Sequence, residues 1–365
     1  MGISRETIEK IRSAADVVEV ISDFVQLKRR GATYLGLCPF HNEKSPSFNV
    51  NPVRGIYKCF GCGKAGDSIS FMMEHDKMSY PEALRYLAEK YNIKVEEDRV
   101  TTDADKAAHN ERESLYIALK WAKDHYVSRL NQHPDGQAIG LSYFRERGFS
   151  LPTIEAFELG YSLDKWDDLL LSGTKTGYSQ DVMERAGLLV AKEDGKVFDR
   201  FRARVIFPIH NGSGRVIGFG ARFLGKDKTQ PKYLNSPEST VYHNGDVLYG
   251  LFQAKKSIRE LDNVYLCEGY TDVISLYQAG VKNVVASSGT ALTPEQIKLV
   301  SRHTKNITVL YDGDSAGIKA SLRGIDLLLE GGMNVRAVAF PDGEDPDSYV
   351  RKIGNEAFIE YLTAN

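Results

Sequence analysis

The sequence has little cysteine, little tryptophan, no long apolar run and no surplus of one charge. Four cysteines in 365 residues are too few for a disulfide scaffold of this length. Three of them fall before residue 63, a clustering that favours metal binding over cross-linking. No apolar stretch approaches the roughly 20 residues that span a bilayer. The opening residues, Met1-Gly2-Ile3-Ser4-Arg5-Glu6, begin a polar amphipathic segment without the apolar centre of a signal peptide. A cytoplasmic location is therefore expected. A net charge of −2 argues against a uniformly basic protein that coats a polyanion.

What is present is a globular balance of 42% hydrophobic and 26% charged residues. The length allows two or three domains of roughly 100–200 residues each. The charges are unevenly placed. Arg200, Arg202, Arg204, Arg215, Arg222, Lys226, Lys228, Lys232, Lys255, Lys256 and Arg259 meet only Asp227, Glu238 and Asp246 over the same stretch. Acids then dominate: Glu268, Asp272, Asp312, Asp314, Asp342, Glu344, Asp345 and Asp347. A basic stretch leading into an acidic centre suits a polyanion that must meet metal ions.

The periodicity predicts a helix and its exit over 3–28, short strands between Tyr34 and Tyr57, and helix again over 68–91. Ser79 followed three residues later by Glu82 marks a helix start. Residues 95–109 are polar and nearly free of large apolar side chains, a linker composition. Residues 112–190 read as mainly helical. Val205–Ile209 and Val216–Phe219 then flank Asn211-Gly212-Ser213-Gly214 as a hairpin. From Val264 onward, strands at Val264–Cys267, Val284–Ala286, Ile307–Tyr311 and Val335–Phe340 alternate with amphipathic segments. That alternation predicts a mostly parallel sheet covered by helices on both sides.

Cys38, His41, Cys59 and Cys62 follow the spacing C-x2-H-x17-C-x2-C. Two short knuckles joined through a hairpin supply four ligands for tetrahedral zinc, with no position left open for chemistry. Around them stand Lys28, Arg29, Arg30, Arg54, Lys58 and Lys64, interleaved with Tyr34, Phe40, Phe48, Tyr57 and Phe60. Basic groups can follow a nucleic-acid backbone while exposed rings stack on unpaired bases. Some of these rings must instead fill the small core.

Glu268-Gly269-Tyr270-Thr271-Asp272 follows one expected strand and Asp312-Gly313-Asp314-Ser315-Ala316-Gly317 follows another. The C-terminal edge of an open α/β sheet is where sites form. Two carboxylates turned toward one small volume repel unless a hard cation such as Mg2+ joins them. Asp342-Gly343-Glu344-Asp345-Pro346-Asp347 adds acids after a further strand. An aspartate at a strand end often only caps the next helix, but three acidic runs after successive strands are hard to explain that way.

These two motifs resemble the Toprim domain shared by primases, topoisomerases and some nucleases. With Cys38-Pro39-Phe40-His41-Asn42-Glu43-Lys44-Ser45-Pro46-Ser47-Phe48, Pro231-Lys232-Tyr233-Leu234-Asn235-Ser236-Pro237-Glu238, Ser288-Gly289-Thr290-Ala291-Leu292 and the run from Asp342 to Asp347, the chain resembles the bacterial DnaG-type primases along essentially its whole length. The resemblance implies a multi-domain α/β protein: a zinc ribbon domain over 1–98, a linker over 99–111, a mixed α/β lobe over 112–255 and a Toprim lobe over 256–365.

It further implies a DNA-dependent RNA polymerase that makes short primers on single-stranded DNA from ribonucleoside triphosphates. The cofactors it implies are one structural Zn2+ and catalytic Mg2+ or Mn2+. Glu268, Asp312 and Asp314 would form the centre of the metal site. Asp345 and Asp347 would complete it and Asp272 would stand close behind. Asp342 and Glu344 are weaker candidates. Arg202, Arg204, Arg222 and Lys232 would hold template backbone or triphosphate, and Lys28, Arg29, Arg30, Arg54 and Lys58 would meet DNA.

The replicative helicase is the partner expected through a C-terminal domain that lies outside these residues, and a monomer is expected. A topoisomerase would need a nucleophilic tyrosine on another domain, and a nuclease has little need for the segment around Lys232. A fused helicase would carry the phosphate loop G-x-x-x-x-G-K-[ST], which does not occur here. A non-catalytic DNA-docking module would use the zinc and the basic groups alone.

Overall fold

The computed structural model describes residues 3–364 except Asn42, Lys77, 97–102, Lys228, Thr290 and 312–323, and gives only the backbone helix for 103–109. Two compact units result, Met1–Lys106 and Ala107–Asn365. Among the described residues no helix is long and apolar enough to cross a membrane.

In the first unit the expected helix over 3–28 is two helices, Arg5–Ala14 and Val17–Ser22. The break has a local cause: the Asp16 side chain accepts the Val18 and Glu19 N–H groups at 2.8 and 2.9 Å, starting a second helix. Five antiparallel strands follow in sequence order: Lys28–Arg30, Thr33–Gly36, Phe48–Asn51, Ile56–Cys59 and Ala65–Gly66. Alternation along them turns Phe48, Val50, Tyr57 and Cys59 inward. There they pack with Ile11, Val20, Ile21, Phe71 and Met72 of the flanking helices. Helix Tyr80–Lys90 starts where expected, with the Ser79 N–H and hydroxyl both donating to the Glu82 carboxylate.

A helix, Asp103–Gln132, begins inside the segment expected as linker, at the end of the first unit's residues, and continues into the second unit. Its alanines, lysines, glutamates and arginines are strong helix formers whatever their polarity. An antiparallel sheet follows in the order Tyr233–Asn235, Val216–Phe223, Arg204–His210, Gly160–Ser162. The expected hairpin is its centre, closed by Asn211 Oδ1, which accepts the Ser213 and Arg215 N–H groups. The short edge strands at 160–162 and 233–235 carry too little periodicity to stand out in the sequence.

The second sheet is wholly parallel, in the order Val284–Ala286, Val264–Cys267, Asn306–Tyr311, Asn334–Ala339. Successive residues serve opposite faces: Val264, Leu266, Val285, Ile307 and Val309 join one core, and Cys267, Val284, Ala286 and Leu310 the other. Burial on both faces explains why the first three of these strands read as apolar runs, whereas Asn334–Ala339, at the sheet's edge, is mostly exposed. The boundary expected at 255/256 falls inside helix Leu251–Leu261. That helix packs Leu251, Ala254 and Ile258 into the parallel sheet's core. One continuous core, from Phe144 and Phe207 through Tyr270 to Phe358, runs between the two sheets.

Candidate functional site

In the first unit, Cys38, His41, Cys59 and Cys62 place one ligand atom each within 4.8 Å of one another. Cys38 Sγ and Cys62 Sγ lie 3.8 Å apart. A tetrahedron with Zn–S bonds of about 2.3 Å has edges of about 3.8 Å, so the quartet fits zinc by size as well as by donor type. His41 Nδ1 faces Cys59 Sγ at 3.8 Å, while Nε2 faces the Glu43 carboxylate at 3.3 Å. Glu43 also accepts the Cys38 N–H at 2.7 Å, the Ser47 N–H at 3.1 Å and the Ser47 hydroxyl. It braces the first knuckle from behind, the outer carboxylate common at histidine-containing metal sites, and the Ser47 hydroxyl in turn lies 3.3 Å from Cys59 Sγ of the second knuckle. The motif spacing gave no sign of Glu43's part.

The zinc-bearing sheet turns one face outward. Register places Lys28 opposite Leu35, Leu35 opposite Asn49 and Asn49 opposite Lys58, a row crossing four strands. Arg30 shares that face by alternation, and Arg29 points to the other. Arg54 is exposed in the connecting turn. Phe60 is 71% exposed with the Lys58 ammonium 5.4 Å from its ring centre. Phe48 and Tyr57 are core residues instead.

In the second unit, the parallel strands end together: Cys267 pairs with Ala286 and Tyr311 with Ala339. Glu268 follows at that edge and is exposed. Asp272, 7% exposed, accepts the Gly269 N–H at 2.9 Å in the first turn of helix Tyr270–Gln278. Asp345 caps helix Pro346–Ile353 by accepting the Ser348 N–H. Asp347 is 2% exposed and is engaged by the Arg147 and Arg351 guanidiniums and the Ser275 hydroxyl. Glu344 pairs with Lys352 at 2.6 Å, and Asp342 is exposed. Asp312 and Asp314 lie outside the described residues. Among the described residues only the cysteine–histidine quartet gathers three or more candidate ligands. The carboxylates at the strand ends are hard oxygen donors, which suit Mg2+ or Mn2+ and not a soft ion.

The basic residues lie on or beside the antiparallel sheet. Arg222 sits between Tyr143 and Tyr233, its guanidinium 5.1 and 5.6 Å from their ring centres. Burial pushes the Tyr143 phenol up to about 12, against the pull of Arg147 and Arg222. Arg202 lies flat on Trp166 at 3.2 Å. Lys232 is exposed. Arg204 differs from an exposed strand cation: it is 2% exposed and donates to the Pro231 carbonyl at 3.0 Å, beside Lys232. Burial lowers its pKa, with Arg202 adding to the effect.

Three family models match in sequence order: a CHC2 zinc finger over 3–103, the N-terminal domain of the DNA primase catalytic core over 125–255, and a Toprim-like domain over 265–350. A DNA primase of Clostridium acetobutylicum is 44% identical over 362 residues, covering 99% of this chain and 59% of the relative. The chain thus spans about three-fifths of the length of the curated relative it matches. The zinc-binding and RNA polymerase domains of the Aquifex aeolicus primase superpose with a TM-score of 0.65 at 36% identity, covering 98% of this chain and 85% of that one. A DnaG primase catalytic domain bound to single-stranded DNA superposes at 0.64 with 39% identity, covering 70% of this chain and 82% of that one.

Proposed function

This chain belongs to the DnaG-type bacterial DNA primase family, and from that premise we propose that it synthesises short RNA primers on single-stranded DNA by nucleotidyl transfer from ribonucleoside triphosphates. One observation carries the proposal furthest. The strand that follows Lys232 ends at Asn235, which hydrogen-bonds Tyr270 and Ser288, just past the ends of two adjacent strands of the parallel sheet and beside Glu268. Cations and acids thereby border one region within the second unit.

Glu268, Asp312 and Asp314 would hold Mg2+ or Mn2+, joined by Asp345, with Asp272 fixing the Glu268 turn. When bound, the ions supply activation of a 3′-hydroxyl and neutralisation of the pyrophosphate leaving group. Arg222 and Arg202, each held against aromatic rings, would take phosphate oxygens in bidentate fashion. Lys232 would act as a point charge, kept in place by the Arg204 grip on Pro231. Asp347 would join Arg147 to the acidic end, a link that sequence inspection did not reveal. No general base is required, because positioning and electrostatics dominate phosphoryl transfer. In the first unit, the outward face bearing Lys28, Arg30, Lys58 and Phe60, with Arg54 in the adjoining turn, would meet single-stranded template, and Arg29 would reach it only from the opposite face. Zinc would hold that face rigid.

Incubation of the protein with single-stranded template, ribonucleotides and Mg2+ tests the reading. Short RNA products that vanish in Asp312→Ala are expected. Unchanged product in that variant would overturn the site assignment.

A further inference from the structure

Tyr270 lies between the two acids of its motif, Glu268 and Asp272, yet its ring leaves the parallel sheet and enters the antiparallel one. It is 3% exposed and stacks on Phe207 with centroids 5.0 Å apart and planes 7° apart. Tyr249 meets it edge-on at 4.7 Å. The floor of this socket is Gly220, where a Cβ would sit 2.2 Å from Tyr270 Cζ and 2.4 Å from its hydroxyl oxygen. Gly220 and Asn235 are register partners on adjacent strands. The socket is therefore built by the sheet that carries Arg204 and Arg222.

Two hydrogen bonds close it. The Tyr270 hydroxyl donates to Asn235 Oδ1 at 2.8 Å, and Asn235 Nδ2 donates to the Ser288 carbonyl at 3.2 Å. A carbonyl can only accept, so Ser288 fixes which end of the Asn235 amide faces it, and that in turn makes Tyr270 the donor. Ser288 is itself bonded to the main chain of Glu268: its N–H donates to the Glu268 backbone carbonyl at 3.1 Å. It holds a left-handed conformation, φ 59°, that residues other than glycine adopt at a cost. Such a conformation persists only where the surroundings determine it.

We infer that Asn235 is a positioning residue: by holding the Tyr270 hydroxyl and the Ser288 carbonyl together, it fixes the turn bearing Glu268 relative to the sheet bearing Arg222 and Lys232. This inference rests on the proposed nucleotidyl transfer, where it sets the distance between the groups that hold phosphate and the groups that act on the reacting hydroxyl. A fault in that distance lowers turnover more than substrate binding.

Asn235→Asp is the sharpest variant, because it keeps the shape and sets a carboxylate oxygen against the Ser288 carbonyl. Tyr270→Phe removes one hydrogen bond and leaves the ring stacked. Hydrogen exchange is measured first, with no activity required. Both variants are expected to speed exchange at 268–272 and 287–289 at least tenfold while leaving 204–210 unchanged. In primer synthesis, kcat is expected to fall at least tenfold with KM for ribonucleotide within twofold, and the double variant to lose little more than either single one. Unchanged exchange at 287–289 would overturn the inference, as would a rise in KM at constant kcat. A wild-type protein that makes no RNA would refute the proposed function while leaving the exchange result to judge the role of Asn235.

Discussion

Replacing Glu43 by glutamine should weaken zinc binding although no ligand is touched. Glu43 Oε1 accepts two backbone N–H groups, those of Cys38 and Ser47, and Oε2 accepts the Ser47 hydroxyl and faces His41 Nε2 at 3.3 Å. In Glu43→Gln the amide oxygen is drawn to the two N–H donors, leaving its NH2 toward His41. With Nδ1 directed at the sulfurs, Nε2 carries the imidazole proton, so two donors confront each other. The ring must turn or lose that bond, and the carboxylate charge that faced it is gone. Loss of an outer carboxylate typically weakens metal affinity 10–100-fold. Competition against a chromophoric chelator at fixed pH measures this directly. Affinity within twofold of wild type would refute the assignment of Glu43 as the support of His41.

Three further outcomes follow from charged groups elsewhere. Against the burial that pushes it up, His125 and Arg129 hold the Asp168 carboxyl down at about 2, below an ordinary 3.8. Its stabilisation is therefore present above about pH 4 and lost as pH falls through 2, roughly 1–2 kcal/mol after solvent screening. Asp168→Asn should flatten that part of the unfolding profile, and an unaltered profile would contradict it. Asp347→Ala strands Arg147 and Arg351 and should cost about 3 kcal/mol in urea unfolding, the lower end for a broken buried pair because Arg351 is partly exposed. A cost below about 1 kcal/mol would show the pairing to be incidental. Lys58→Ala should reduce the salt dependence of single-stranded DNA binding by about 0.7 in log–log slope, as one lost phosphate contact requires; an unchanged slope would remove Lys58 from the DNA-binding face.

Much of the architecture is legible from local pattern. Three of the parallel strands stand out because burial on both faces leaves each an apolar run, and the zinc quartet because its ligands come in two close pairs. The hairpin around Asn211 is marked by its own turn chemistry. What is not legible depends on partners distant along the chain. Asp347 meets Arg147 across 200 residues, and no local rule connects them. Arg204 looks like an exposed strand cation until the segment at Pro231 covers it. Tyr270 reads as part of an acidic motif, and only the absence of a side chain at Gly220 shows where its ring goes. The helix break at Asp16 lay closer to hand, since an aspartate followed three residues later by Glu19 is a helix-start signal.

The most direct test of the central claim is primer synthesis on a single-stranded template with Mg2+ by wild type and Glu268→Gln in parallel, with zinc content and DNA affinity measured on the same samples. Glu268→Gln should lose at least 100-fold in RNA product while zinc content and DNA affinity stay at wild-type levels. Full product from Glu268→Gln, or none from the wild type, would contradict an RNA-polymerising site at the acidic edge of the parallel sheet.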